Sequence, residues 1–331
     1  MSIEVKKYLA SLEEAGLEKR EFFDGNVMPF IDGDKHSPDF AYDISKNVLQ
    51  KIKLPDKDLS LYLRRYFLED SWAKELISNE IFFGRLYNAL GVNALKYYPI
   101  ILRKPHIEVA GEDDELFKSS YMDIGLASQD LRTVKGISVG SIQQSKDVYK
   151  YILDKRNTIS KMIESRDLLL QTENGEENVQ VLDNYIKAGL LDIICMMGDN
   201  HLNNKMTVGN LGKQKEDIIS FDFENTSIDL LKDDDYQRME DILKYAEDLF
   251  FGVITLDKTS KTYMDFLNSI KNMYEKGVLP ENCREVIDRL SKVNIDEILR
   301  DCENSTGFII PQYKKDFYLK LFDINQEHFA R

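Results

Sequence analysis

The chain has 331 residues, 43% of them hydrophobic and 31% charged, enough to bury a large core and too apolar throughout for wholesale disorder. Its formal net charge of −14 repels phosphate backbones and anionic lipid, so no nucleic-acid partner is expected. No run approaches the roughly 20 apolar residues of a membrane-spanning helix, so no transmembrane segment is expected, and Met1 to Lys7 lacks the apolar core of a secretory signal.

Val5, Leu9 and Leu12 recur at helical spacing and predict a short amphipathic helix over 2–20. From 22 to 60, Gly25, Gly33, Pro38 and Pro55 divide aromatic-rich segments into strands and turns. Residues 60–67 alternate as a strand. Residues 71–90 switch to helical spacing, with Leu76, Phe83, Leu86 and Leu90 near one face and Gly91 placed to end the helix. Residues 92–102 and 121–126 read as further strands.

Helices are then predicted over 145–169, 178–197, 233–252, 260–276, 281–292 and 295–302, and after Pro311. One hairpin interrupts them, 205–208 with 217–221, turning near Gly209-Asn210-Leu211-Gly212. The expected fold class is α+β: a small mixed N-lobe over 1–130 with one substantial helix, and a helical C-lobe over 131–331 with the embedded hairpin. Cys195, Cys283 and Cys302 are odd in number and form no C-x-x-C pair, which signals neither zinc nor a disulfide framework and favours a reducing, cytoplasmic compartment.

The stretch that carries chemistry is Met197-Gly198-Asp199-Asn200-His201-Leu202-Asn203-Asn204, after an apolar helix and before the hairpin. Phe221-Asp222-Phe223-Glu224 follows the hairpin's second strand. Together they supply an acid, an amide oxygen five positions later, and a second acid across a turn. Phosphoryl transfer uses that set: one Asp orients or deprotonates the attacking hydroxyl, while an Asn and an Asp hold magnesium over the β- and γ-phosphates. Magnesium takes hard oxygen ligands, few of them from the protein. The D-x-x-x-x-N offset is that of the kinase catalytic loop.

These residues resemble the catalytic core of remote members of the protein-kinase-like superfamily, with the HipA-like and phosphoinositide kinases as the nearest parallels for D-x-H-x-x-N. The D-F-E ending is similar to that of choline-kinase-like enzymes. The resemblance is close over about 182–226 and elsewhere lies in the order of elements. It implies a two-lobed protein-kinase-like fold, with Asp199 as catalytic acid, His201 supporting the loop or the transferring phosphate, and Asn204 and Asp222 as metal ligands for ATP and Mg2+. It also implies that Glu80, in the 71–90 helix, pairs the cation gripping the α- and β-phosphates. Size, acidity and loop are further similar to an inositol-hexakisphosphate-activated kinase type that intracellular bacteria deliver into a host cell's cytosol. That likeness adds an inositol polyphosphate as activator and a protein as substrate.

No G-x-G-x-x-G, V-A-I-K or A-P-E motif is present. Arg64 and Arg65 are the nearest basic residues on the third-strand position, and because consecutive strand residues face opposite sides only one can serve the cleft; Arg64 is the candidate. Three functions compete: a protein kinase, a phosphoinositide kinase or AMP transferase using the same cleft, and an inactive scaffold binding nucleotide or inositol phosphate. The aromatics Phe317, Tyr318 and Phe322 read as core.

Overall fold

The computed structural model describes residues 18–22, 26–31, 50–54, 59–66, 73–103, 109–110, 116–117, 122–133, 136–142, 148–150, 152, 159–197, 204–210, 217–223, 262–306 and 308–330. Four strands come first: β1 (Glu18–Phe22), β2 (Asn26–Ile31), β3 (Gln50–Leu54) and β4 (Leu59–Tyr66). Helix α1 (Ala73–Ala89) follows, then β5 (Tyr98–Arg103), the short pair β6 (Val109–Ala110) and β7 (Leu116–Phe117), and β8 (Met122–Gln129). The main sheet has the order β1-β2-β5-β8-β4-β3 and is mixed, β2–β5 being parallel and the other pairs antiparallel.

After a 3-10 turn over Leu131–Thr133 come β9 (Ile137–Ser141), α2 (Ile159–Glu164), α3 (Arg166–Leu170) and α4 (Gly175–Ile194). Strands β10 (Lys205–Asn210) and β11 (Asp217–Ser220) form the hairpin, and α5 (Tyr263–Glu275), α6 (Glu281–Leu290), α7 (Ile295–Thr306) and α8 (Gln312–Ala330) complete the described elements. The molecule is a helix-rich α+β protein. Among the described residues no helix is long and apolar enough to cross a membrane.

Three expectations are corrected. Residues 18–22 form a strand: Phe22 pairs with Asn26 across a tight hairpin, and ladder bonds to β2 override any helical tendency of Glu18 to Phe22. The strand expected over 92–102 begins only at Tyr98, because 92–97 turns aside to meet β11. The hairpin also has a third strand, β9, lying along β10 with Ile137 opposite Asn210. The predicted 233–252 helix lies outside the described residues.

One continuous core joins α1, α4, the hairpin and α5–α8. The last part of helix α4, from Ala188 to Ile194, is buried on every side, which accounts for the apolar run there, broken only by Asp192. Helix α1 shows two working faces. Asn79, Phe82 and Arg85, three residues apart, meet the C-terminal helices. The Tyr318 hydroxyl donates to Asn79 Oδ1 at 2.6 Å, its ring stacks on Phe82 at 4.0 Å, and Arg85 Nε donates to Asp301 Oδ2 at 3.2 Å. Glu80 and Tyr87, seven apart and so on one face, look toward the hairpin. As expected, Phe317, Tyr318 and Phe322 are core, and all three cysteines are free and buried.

Candidate active site

Helix α4 ends abruptly. The amide of Met196 donates to the Ile193 carbonyl and that of Met197 to Asp192, the paired bonds of a Schellman stop, with Met196 at φ 55° where glycine is usual. Nothing in the apolar run predicts that stop, which leaves Met196 and Met197 themselves buried. Asp199 and His201 lie outside the described residues.

Asn204 is buried, and β10 starts at the next residue. Lys205 pairs with Ser220 across the hairpin, and the Phe221 amide donates to the Asn204 carbonyl at 3.0 Å. The hairpin thus sets Asn204 beside the segment that leads into Asp222. Asp222 is half-buried and left-handed, with φ 63°. Among the described residues, Met196 and Asp222 are the two non-glycine residues with positive φ. Both flank the predicted loop and turn, and such conformations persist only where surrounding contacts impose them.

For Asp222 those contacts come from α1 and the segment after it. Gly84 makes room: a Cβ there would sit 2.5 Å from the Leu95 carbonyl oxygen, so glycine lets residues 93–97 lie against the helix. The segment then meets β11 in a parallel bridge, Ala94 with Ser220, closed by Leu95 N to Ser220 O at 3.1 Å and Ser220 N to Asn93 O at 2.9 Å. Two residues beyond Ser220, the Asp222 amide donates to the Tyr97 hydroxyl at 3.0 Å, and the next amide, of Phe223, donates to Glu80 Oε2 at 2.9 Å. Glu80 is only 2% exposed. The Phe223 ring is buried against Tyr87 at 4.8 Å and edge-on to Tyr97 at 6.5 Å.

A buried polar group sits directly behind Asn204. Lys205 Nζ donates to Asp192 Oδ2 at 2.7 Å and the Tyr87 hydroxyl donates to Asp192 Oδ1 at 2.8 Å, joining α1, α4 and β10. Burial pulls the Lys205 ammonium below the ordinary lysine value against the opposing effect of Asp192, and burial, then the Asp192 charge, pushes the Tyr87 phenol well up.

The structure therefore brings together Glu80, Asn204 and Asp222 from the sequence-predicted set. Arg64 stands opposite Leu126 in the β4–β8 register, and Leu126 stands opposite Pro99, so these three positions share one sheet face; Arg65, opposite Gly125, falls on the other. Sequence reasoning missed Tyr97, Tyr87, Asp192 and Lys205. Asp192, a lone charge inside the apolar run from Ala188 to Met197, was the available signal. Asn204 and Asp222 offer an amide oxygen and a carboxylate at neighbouring backbone positions, a hard-oxygen pair that fits magnesium. A polar cavity of about 510 Å³ lies elsewhere, bordered by Gly91, Lys187, Asn282 and Arg289, and neither Glu80, Asn204 nor Asp222 lines it.

No family model matches the chain, and no curated protein matches it in sequence. Among solved structures it is similar to the crystal structure of a Helicobacter pylori proinflammatory kinase, CtkA, at TM-score 0.52 and 13% identity, over 91% of this chain and 95% of that one. What the two share is a fold, over nearly the whole of both chains.

Proposed function

We propose that the chain is an ATP- and magnesium-dependent phosphotransferase, a protein kinase of atypical type with a two-lobed arrangement. The observation that carries this reading is the capture of the Asp222–Phe223 turn: Glu80 and Tyr97 take its two consecutive amides while the hairpin sets it beside Asn204. Left-handed non-glycine residues cluster at active sites, and Asp222 is one, set between a buried glutamate and a buried asparagine. The fold shared with a bacterial kinase supports the same conclusion.

In this reading Asn204 and Asp222 hold magnesium, which when bound neutralises charge on the β- and γ-phosphate oxygens. Asp199 orients the acceptor hydroxyl and takes its proton on a carboxylate oxygen, with His201 supporting the loop. Arg64 grips the α- and β-phosphates and Glu80 pairs with it; arginine there gives a planar, forked contact in place of a lysine point charge. The acceptor is a protein hydroxyl. Activation by inositol hexakisphosphate and delivery into a host cytosol rest on the resemblance in size, acidity and the 199–204 loop.

The experiment is incubation with magnesium and either γ- or α-labelled ATP, each with and without inositol hexakisphosphate, in the presence of host-cell protein. Label passing from the γ position alone is the expected result. Label passing from the α position alone makes the chain an AMP transferase, and no transfer in any reaction leaves a nucleotide- or inositol-phosphate-binding scaffold.

A further inference from the structure

The turn at Asp222 is held by two side chains with different work. Glu80 takes the amide of Phe223 and so fixes the apolar residue that anchors the turn in the core. Tyr97 takes the amide of Asp222 itself. The amide is anchored on the Tyr97 phenol oxygen at 3.0 Å, and the left-handed φ of 63° then sets how the Asp222 side chain and the onward chain leave that anchored amide plane. Aspartate is among the few side chains that adopt this conformation readily, but it does so only as one of several choices. The direction of its carboxylate follows from the backbone the phenol selects.

We propose that Tyr97 is a positioning residue for the Asp222 carboxylate, setting its aim toward the metal through the hydrogen bond to the Asp222 amide. The proposal rests on the reading of Asp222 as a metal ligand. Tyr97 is well placed for the task. The residue is 8% exposed, its ring is edge-on to Phe223 and close to α1 at Gly84, where the backbone of Leu95 also packs, and the Ala94–Ser220 bridge ties this segment to the strand that leads into the turn. These contacts fix the phenol relative to the Asp222–Phe223 turn. Groups that orient a metal ligand from behind change metal affinity or activity by about 10- to 100-fold when removed.

Tyr97→Phe deletes the acceptor and keeps the ring. Binding of Mn2+ in the presence of ATP, followed as loss of the free-ion signal by electron paramagnetic resonance, should weaken by about 10- to 100-fold. The Mg2+ concentration giving half-maximal phosphotransfer should rise in parallel, with KM for the protein acceptor unchanged. Asp222→Asn in the same assay tests the underlying reading, and in the double variant Tyr97→Phe should add nothing further, because the phenol acts through the carboxylate. If Asp222→Asn loses metal and Tyr97→Phe does not, the positioning role is overturned and the phosphotransferase reading stands. If the unaltered protein binds no Mn2+ with ATP, both are overturned. A Tyr97→Phe protein of lowered stability is compared with Phe223→Leu protein, which loosens the same packing but leaves the phenol; equal loss of metal in both overturns the proposal.

Discussion

Lys205 Nζ lies 2.7 Å from Asp192 Oδ2, and both side chains are buried beneath the hairpin. A pair in that position contributes little over a well-packed apolar one, but removing one partner strands a charge in the core. Lys205→Met should therefore cost about 3–5 kcal/mol in urea unfolding. The double variant Lys205→Met with Asp192→Leu should recover much of that loss, although the Tyr87 hydroxyl then loses its acceptor. Equal stability of the single and double variants would show that the pair is not the source of the effect.

Glu80 has two tasks that a pair of substitutions separates. Glu80→Ala leaves the buried Phe223 amide without its acceptor, at a cost of about 1–3 kcal/mol in thermal or chemical unfolding. Glu80→Gln keeps an acceptor oxygen and should stay closer to the parent stability. Both remove the carboxylate charge, so both should weaken ATP binding if Glu80 pairs the phosphate-gripping cation. Unaltered ATP affinity in Glu80→Gln would confine the residue to holding the turn.

Asp199 and Asp222 should fail in different ways. Asp199→Ala is expected to lower kcat by about two to four orders of magnitude while ATP still binds, since a positioned acid–base group acts mainly in the transition state. For Asp222 the substitution of choice is asparagine, which tolerates the left-handed backbone where alanine would strain it. Asp222→Asn should abolish turnover in a protein of near-parent melting temperature; retained turnover would remove Asp222 from the metal site.

Alkaline pH should unfold the protein. Burial raises the Tyr87, Tyr185 and Tyr263 phenols above their ordinary value, and it raises the Cys195 and Cys283 thiols and pushes that of Cys302 up to about 12. A weak acid whose folded pKa is raised stabilises the fold fully below its unfolded pKa and loses that contribution as pH climbs toward the folded value. Losses thus begin near the ordinary thiol range and grow through the phenol range. Lys187 and Lys205, both lowered by burial, act in the opposite direction but are fewer. The melting temperature should fall steadily above about pH 9, with tyrosinate absorbance appearing from these phenols only on unfolding.

Much of the site was legible where its signal was local. The apolar run of α4 and the strand–turn–strand pattern after Asn204 follow from spacing alone, and they bracket the loop. Glu80 is an ordinary helical glutamate by itself, and only resemblance singled it out. Its partner Phe223 is 143 residues away, and Tyr97 meets Asp222 across 125. No periodicity reports such pairings. Strand β9 escaped for a different reason: Ile137-Ser138-Val139-Gly140-Ser141 is short, carries a glycine and two serines, and is a strand because β10 offers it a ladder. The strand at 18–22 likewise depends on its neighbour β2.

Helix α1 is fastened on the side away from the turn by Asn79–Tyr318, the Phe82–Tyr318 stack and Arg85–Asp301. Outward rotation of the glutamate-bearing helix would break all three together, so that motion belongs to the rare openings in which the terminal helices detach as well. Backbone amides of α1 and α8 should then exchange their hydrogens with a common opening free energy and form a single cooperative unit. The helix serves as a fixed bracket, so the Asp222–Phe223 turn and the C-terminal helices are held through one element.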